Sequence, residues 1–207
     1  MFVSPKTEIF PIARYRRTLE RHIAERGIET RFQQRLVAVD GPAHRATFED
    51  MVTGQRTVLE YDMIHVVPPM GPPEFIAGSP LADEAGWVDV DPFTLQHRRF
   101  PNVFALGDCT NLPTSKTGAA IRKQTPVLVK NLLAASEGRQ LEARYNGYTS
   151  CPIVTGYGRL VLAEFGYDQQ LMETFPFDQS KERRTMYWLK KYLLPVLYWQ
   201  GMLKGRA

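Results

Sequence analysis

The sequence predicts an α/β protein of the open-sheet kind, and three observations predict it. A short apolar run, Asn102–Leu106, ends on Gly107-Asp108, and Thr117-Gly118-Ala119-Ala120-Ile121 then opens an apolar helix. Ile12, Tyr15, Leu19, His22 and Ile23 recur at helical spacing just ahead of β-rich segments. Tyr61–Val67 has the pattern of a strand covered on both faces.

Taken in order, Pro11 stands where a helix starts and Gly27 where one stops, so Ile12–Arg26 reads as an amphipathic helix. Glu29–Val39 and Arg45–Phe48 read as strands joined by a turn at Gly41-Pro42, and Thr53-Gly54 turns the chain into a further strand, Arg56–Glu60. Tyr61–Val67 is the next strand, with His65 facing the core in preference to a pocket on the ligand side. Pro68, Pro69, Pro72 and Pro73 then stop it, because a proline cluster cannot pair in a sheet and makes a stiff extended crossing. Phe75–Leu81 is a loop or short helical turn, and Gly86–Val90 with Phe93–Leu95 reads as a small hairpin before the strand at Asn102–Leu106. Ala119–Ala135 is one helix, kinked or restarted at Pro126 and ended by Glu137-Gly138-Arg139. Arg159–Phe165 is strand-like and Met172–Phe177 extended. From Lys181 to Lys204 charge alternates with bulky apolar residues, giving a pair of helices broken at Pro195.

In open α/β sheets ligands sit beyond the carboxyl ends of strands, beside helix starts. Asp108 stands at such an end, where its carboxylate can accept hydrogen bonds from hydroxyls. The free N–H groups of the following helix can meet a negatively charged oxygen. The candidate binding residues are therefore Asp108, Lys116, Thr117, Gly118 and Ala119.

The 207 residues suffice for one good core or two small domains. No run of about 18 apolar residues predicts a transmembrane helix, and Met1–Phe10 lacks the basic start and apolar core of a signal peptide. Two cysteines, Cys109 and Cys151, fit a reducing compartment or a redox role and make no disulfide framework. His22 and His44 have no partners at metal-ligand spacing, so no metal site is expected. The formal charge is +4, and Lys181–Ala207 carries seven basic residues against Glu182 alone, or +6, which leaves −2 for the remainder. Basic character is thus a property of the tail, and nucleic-acid binding is not expected.

The stretch L-G-D-C-T-N-L-P-T-S-K-T-G-A-A, with H-V-V-P-P-M, G-W-V-D-V-D, G-Y-T-S-C-P-I-V-T-G-Y and E-T-F-P-F-D-Q, resembles the sulfide:quinone oxidoreductases, the animal-type branch in particular. These belong to the FAD-dependent pyridine nucleotide-disulfide oxidoreductase superfamily. The likeness covers essentially the whole chain, but only the later part of such an enzyme. It implies a partial two-dinucleotide-domain (Rossmann-like) flavoprotein with a helical amphipathic tail. Residues 1–67 would close the second, NAD-like dinucleotide domain and 68–140 the FAD-binding domain. Residues 141–207 would carry the redox cysteine and the membrane and quinone contact.

By the same resemblance the cofactor is FAD. Asp108 would hold a ribityl hydroxyl, and Lys116, Thr117, Gly118 and Ala119 would face the pyrimidine edge of the isoalloxazine. The resemblance places the family's second redox cysteine on Cys151, in a loop stiffened by Pro152. Sulfide would attack a disulfide between Cys151 and an earlier cysteine, leaving a persulfide on one sulfur, while the other thiolate passes two electrons to the flavin. A quinone would then take the electrons and a small nucleophilic acceptor the sulfur. Cys109 reads as a packed residue behind the Gly-Asp turn.

No G-x-G-x-x-G array stands anywhere in the chain, and the first redox cysteine is missing. Either the chain is part of a longer protein or the missing half comes from elsewhere; by itself it is expected to be weak in FAD binding, inactive, and prone to self-association through apolar surface that faces a missing domain. The tail reads as a monotopic membrane contact, with Trp and Tyr at the interface and Lys and Arg towards anionic head groups. The expected location is the cytoplasmic side of a bacterial membrane or the mitochondrial inner membrane. Two alternatives remain: a fragment of an NADH:quinone oxidoreductase, which has no need of Cys151, and a non-catalytic membrane-associated interaction module.

Overall fold

The structure is a computed structural model and describes residues 1–206; Ala207, the last residue of the expected tail segment, lies outside the described residues. The chain forms two compact units, Met1–Pro69 and the chain from Met70 onward.

In the first unit, β1 (Phe2–Val3) and β2 (Thr30–Arg31) pair in parallel across α1 (Ala13–Glu25). Ile12 caps α1 from extended backbone, and the helix buries Tyr15 and Thr18. The strand expected over Glu29–Val39 is interrupted by Gln33, whose φ of 57° is left-handed, so β3 (Gln34–Asp40) begins a separate sheet. That sheet runs antiparallel in the order β3–β4–β5, with β4 at Arg45–Asp50 and β5 at Arg56–Glu60. The Asp50 carboxylate accepts hydrogen bonds from the N–H groups of Val52 and Thr53 and shapes the turn between β4 and β5.

The buried strand expected at Tyr61–Val67 does not form. The segment pairs with no strand among the described residues, and Met63 and Val67 are 86% and 81% exposed. His65, expected in the core, is exposed as well. An apolar run becomes a buried strand only where neighbouring strands satisfy its backbone and cover its faces.

The second unit is built around a core of Ile76, Val88, Val90, Leu95, Leu112, Tyr145 and Tyr148. The short helix α2 (Glu74–Ala77) supplies Ile76. The expected hairpin at Gly86–Val90 and strand at Asn102–Leu106 reduce to single bridges, Val90 with His97 and Gln96 with Phe104. Turns bonded by side chains hold this region instead. Asp91 accepts from the N–H groups of Phe93 and Thr94, and His97 sits against the Leu81 carbonyl.

The helix α3 (Gly118–Ser136) runs through Pro126 without the expected restart. Its buried Asn131 donates to the Thr94 and Ala143 carbonyls and accepts from the Ala143 N–H, tying it to the chain on both sides. The hairpin β6 (Thr149–Gly156) and β7 (Arg159–Phe165) follows, and β7 is buried from Leu160 to Phe165.

Beyond it, α4 (Arg184–Trp188) packs Met186 on Leu160 and Leu162. The chain continues in wide π turns at Leu189–Leu193 and Leu197–Gly201 around α5 (Leu194–Val196), so Pro195 does not break it as expected. A wide turn ahead of a proline moves the carbonyls that its ring would otherwise meet.

Candidate functional site

The second unit carries the candidate site. Leu106 is extended and Gly107 then turns at φ +75°, where a Cβ would lie 3.2 Å from Ile121 of α3; only glycine takes this backbone so close to the helix. A single 3₁₀ turn, Gly107–Cys109, follows. The Gly107 N–H donates to the Gln124 side-chain carbonyl at 2.8 Å, and the Thr110 hydroxyl to the Gly107 carbonyl at 2.7 Å. Asp108 is left pointing outward and exposed. Among the described residues its carboxylate makes no hydrogen bond.

Lys116 folds back onto this turn. Its ammonium donates to the carbonyls of Asp108 (2.7 Å) and Thr110 (2.6 Å) and lies 3.9 Å from the centre of the Trp87 ring. Burial holds its pKa below that of a free lysine, although Asp108 and Cys109 pull the other way. Thr117 caps α3, its hydroxyl accepting from the Ala120 N–H at 3.1 Å. Gly118 and Ala119 begin the helix with N–H groups that find no partner among the described residues, and a Cβ on Gly118 would meet open space. Behind the turn lies a slit of about 10 Å³, lined by Gly107, Thr110, Leu112, Thr117, Ala120 and Gln124 among others, which is room for one water. The outer side of the turn is open, and there Asp108 offers an acceptor and Gly118 and Ala119 offer donors. That is the pair of needs a flavin's hydroxyls and charged oxygen present.

Cys109 packs against the core, its thiol donating to the Leu106 carbonyl at 3.3 Å, and burial pushes its pKa up. Cys151 is half-buried and stands in β6, not in the loop expected for it. Pro152 is tolerated there because β6 is an edge strand, paired with β7 alone among the described residues.

Side chains two residues apart share one face of a strand, so Thr149 and Cys151 look the same way. Thr149 is fully buried; its hydroxyl lies 2.9 Å from that of Thr117 and donates to the Ser115 carbonyl at 3.3 Å. The face that carries Cys151 is therefore the face laid against the start of α3. The opposite face is locked by Glu164, a buried carboxylate that accepts from Tyr148, Thr174 and Gln179.

Gln124 and Thr149 were not singled out in the sequence. For Gln124 a signal existed: Thr117, Ala120 and Gln124 recur at helical spacing, so a polar side chain sits on the small-residue stripe that α3 buries. Thr149 had none, because its partner lies 32 residues away.

A family model described as pyridine nucleotide-disulphide oxidoreductase matches residues 10–132. The mitochondrial sulfide:quinone oxidoreductase of Dictyostelium discoideum is 52% identical over 206 residues, covering 99% of this chain and 45% of that protein. That of Mus musculus is 48% identical over 198 residues, covering 95% and 44%. The chain thus spans slightly less than half the length of these relatives. The solved structure of the sulfide:quinone oxidoreductase from Aquifex aeolicus superposes with a TM-score of 0.74 at 15% identity, covering 97% of this chain and 49% of that one, a likeness of fold. The matched residues include α1, the Gly107–Cys109 turn and most of α3, and the chain belongs to the pyridine nucleotide-disulphide oxidoreductase family.

Proposed function

We propose that this chain forms the carboxyl-terminal half of a flavin-dependent sulfide:quinone oxidoreductase, with Cys151 as a sulfur-carrying thiol. The relatives at 48% and 52% identity support the reaction. The observation that carries the assignment of Cys151 is the Thr149–Thr117 contact, which turns its strand face towards the start of α3.

Asp108 would accept hydrogen bonds from the ribityl chain of FAD, and the N–H groups of Gly118 and Ala119 would meet its pyrimidine edge. FAD, when bound, accepts two electrons and passes them to a quinone. Lys116 holds the Asp108 turn by its carbonyls, fixing the carboxylate without touching it. Cys151 and a cysteine from the other half form a disulfide that hydrosulfide opens. The new S–S bond leaves a persulfide on one residue, and the bond pair of the old one leaves the other as thiolate. Pro152 and the β6–β7 pairing hold the thiol in one place while this happens. A small nucleophile then takes the outer sulfur.

The tail serves as a peripheral membrane contact. No helix among the described residues is long and apolar enough to cross a bilayer. Yet Trp188, Tyr192, Leu193, Val196, Tyr198, Trp199 and Leu203 are exposed along one stretch, with Lys190, Lys191 and Lys204 among them. Such a surface suits the inner mitochondrial membrane, where a lipid-soluble quinone is at hand. Without the other half the chain binds FAD weakly, oxidises no sulfide by itself and self-associates through its exposed apolar surface.

The test needs only the chain. Cys151 is converted to its glutathione disulfide in a Cys109→Ala background and treated with sulfide. Mass spectrometry is expected to find one extra sulfur on Cys151, with glutathione released. Simple reduction to the thiol at every sulfide concentration overturns the assignment.

A further inference from the structure

The tail begins in a cluster of cations that no carboxylate answers. Lys181, Arg183 and Arg184 are near neighbours in the chain, and among the described residues none of their side chains makes a hydrogen bond or ion pair. The acidic residues beside them are directed elsewhere. Asp178 accepts from the N–H and the hydroxyl of Ser180, and Glu182 accepts from the Thr155 hydroxyl.

Arg183 is the most firmly held of the three. Its backbone N–H donates to the Leu160 carbonyl at 2.9 Å, a bridge that fixes it against β7. The carbon of its guanidinium lies 4.1 Å from the centre of the Phe177 ring, and Phe177 stacks in turn on Phe175 at 5.2 Å. In this position Nε is buried without an acceptor. Buried N–H donors are nearly always paired, and a half-buried cation is costly without an anion. A planar guanidinium fixed on a ring presents a fork of donors that can meet an oxyanion in two bonds. The side chain is therefore preorganised for an anion that no described residue provides.

Arg184 and Trp188 lie four residues apart on α4, so they share a face, and both are exposed. Tyr192, Leu193 and Val196 are exposed beyond them. The cations thus stand at one end of the exposed aromatic stretch, the place of a lipid head group when such a stretch lies in a bilayer interface.

We propose that Lys181, Arg183 and Arg184 form a binding site for the phosphate of an anionic phospholipid, with Arg183 as the fixed fork and the two exposed cations beside it adding attraction. The apolar tail holds the protein to the bilayer, and this site selects the head group. The proposal rests on the membrane contact proposed above and adds to it a defined site in place of diffuse attraction.

Two experiments on the full chain separate the two. The first is flotation with vesicles of phosphatidylglycerol and phosphatidylcholine. Lys191→Gln removes one exposed cation and is expected to weaken binding about fivefold, the effect of one charge at an anionic surface. Arg183→Lys keeps the charge and the apolar stem but loses the fork, and is expected to weaken binding at least as much. Unchanged flotation of Arg183→Lys overturns the site while leaving the membrane contact standing.

The second experiment needs neither a variant nor a bilayer. Phenylglyoxal, which modifies accessible guanidinium groups, is applied to the chain with dihexanoylphosphatidylglycerol below its micellar concentration, with dihexanoylphosphatidylcholine, or with inorganic phosphate. Peptide mass spectrometry reads each arginine. Phosphatidylglycerol is expected to slow modification of Arg183 severalfold, more than either of the others does, and to leave exposed Arg144 unaffected. Equal protection by inorganic phosphate overturns a lipid as the occupant, and no protection by any of the three overturns the site even if the chain floats. Protection that arises only on co-expression with the amino-terminal half of a relative assigns the guanidinium to a protein carboxylate and overturns the proposal as well.

Discussion

Single residues in this chain divide between those that face a reactant and those that hold them in place. On the proposed function Cys151 is of the first kind: in a full-length enzyme containing this half, Cys151→Ser should abolish sulfide-dependent quinone reduction, and full retention of activity in a quinone-reduction assay would refute the proposal. Lys116 belongs to the second. Lys116→Met leaves the Asp108 and Thr110 carbonyls without their donor and is expected to cost about 1–3 kcal/mol. Amide exchange should quicken at Gly107–Thr110 and not in β6–β7. Tyr148 reports the locked face of the hairpin. Burial first, and then the hydrogen bond to Glu164, push its pKa up to about 12 from 10.0. The folded value lies above the unfolded one, so this stabilisation is complete below pH 10 and disappears as pH rises towards 12. Denaturation midpoints should therefore fall across that interval. Tyr148→Phe should flatten part of the fall, the rest belonging to Tyr145 and Tyr167, which burial also raises.

At the scale of elements, the hairpin is set by the turn before it and the tail by its first turn. Gly147 stands at φ +80°, and a Cβ there would meet the Tyr167 ring and lie 2.6 Å from its backbone nitrogen. Gly147→Ala should destabilise the second unit by roughly 2–3 kcal/mol, read as a drop in thermal midpoint. The tail has a docked beginning and an exposed remainder, because Met186, Tyr187 and Leu189 pack with Leu160 and Leu162 while Trp199 is 62% exposed. A chain ended after Lys190 keeps the docked turn. It should keep its fold by circular dichroism and lose flotation with anionic vesicles; undiminished flotation would place the membrane contact elsewhere.

For the whole molecule, exposed apolar surface is the dominant feature. Met63, Val66 and Val67 of the segment that forms no strand, and Leu132 and Leu133 of α3, lie open to solvent. Surface of this kind associates. Light scattering at increasing concentration should show particles larger than 23.7 kDa, and a monomer throughout would contradict this. Co-expression with the amino-terminal half of a relative should reduce that association and yield a yellow complex.

Read alone, the sequence located α1, the strands β4 and β5, the start of α3 and the Gly107-Asp108 turn. Each is marked by local signals: a capping threonine, a glycine forced to positive φ, an apolar stripe at helical spacing, and for β4 and β5 a short turn at Thr53-Gly54 that pairs neighbouring segments. It misjudged Tyr61–Val67 and Asn102–Leu106, because an apolar run records only that burial is favourable, and strands exist only where other strands meet them. It misplaced Cys151 in a loop, since an edge position that admits Pro152 is a property of the sheet and not of the residues beside it. The meeting of β6 with the start of α3, through Thr149 and Thr117, joins residues 32 apart and was decided by the tertiary structure alone. Local sequence fixes which backbone shapes are cheap; which distant faces touch depends on the packing of the whole chain.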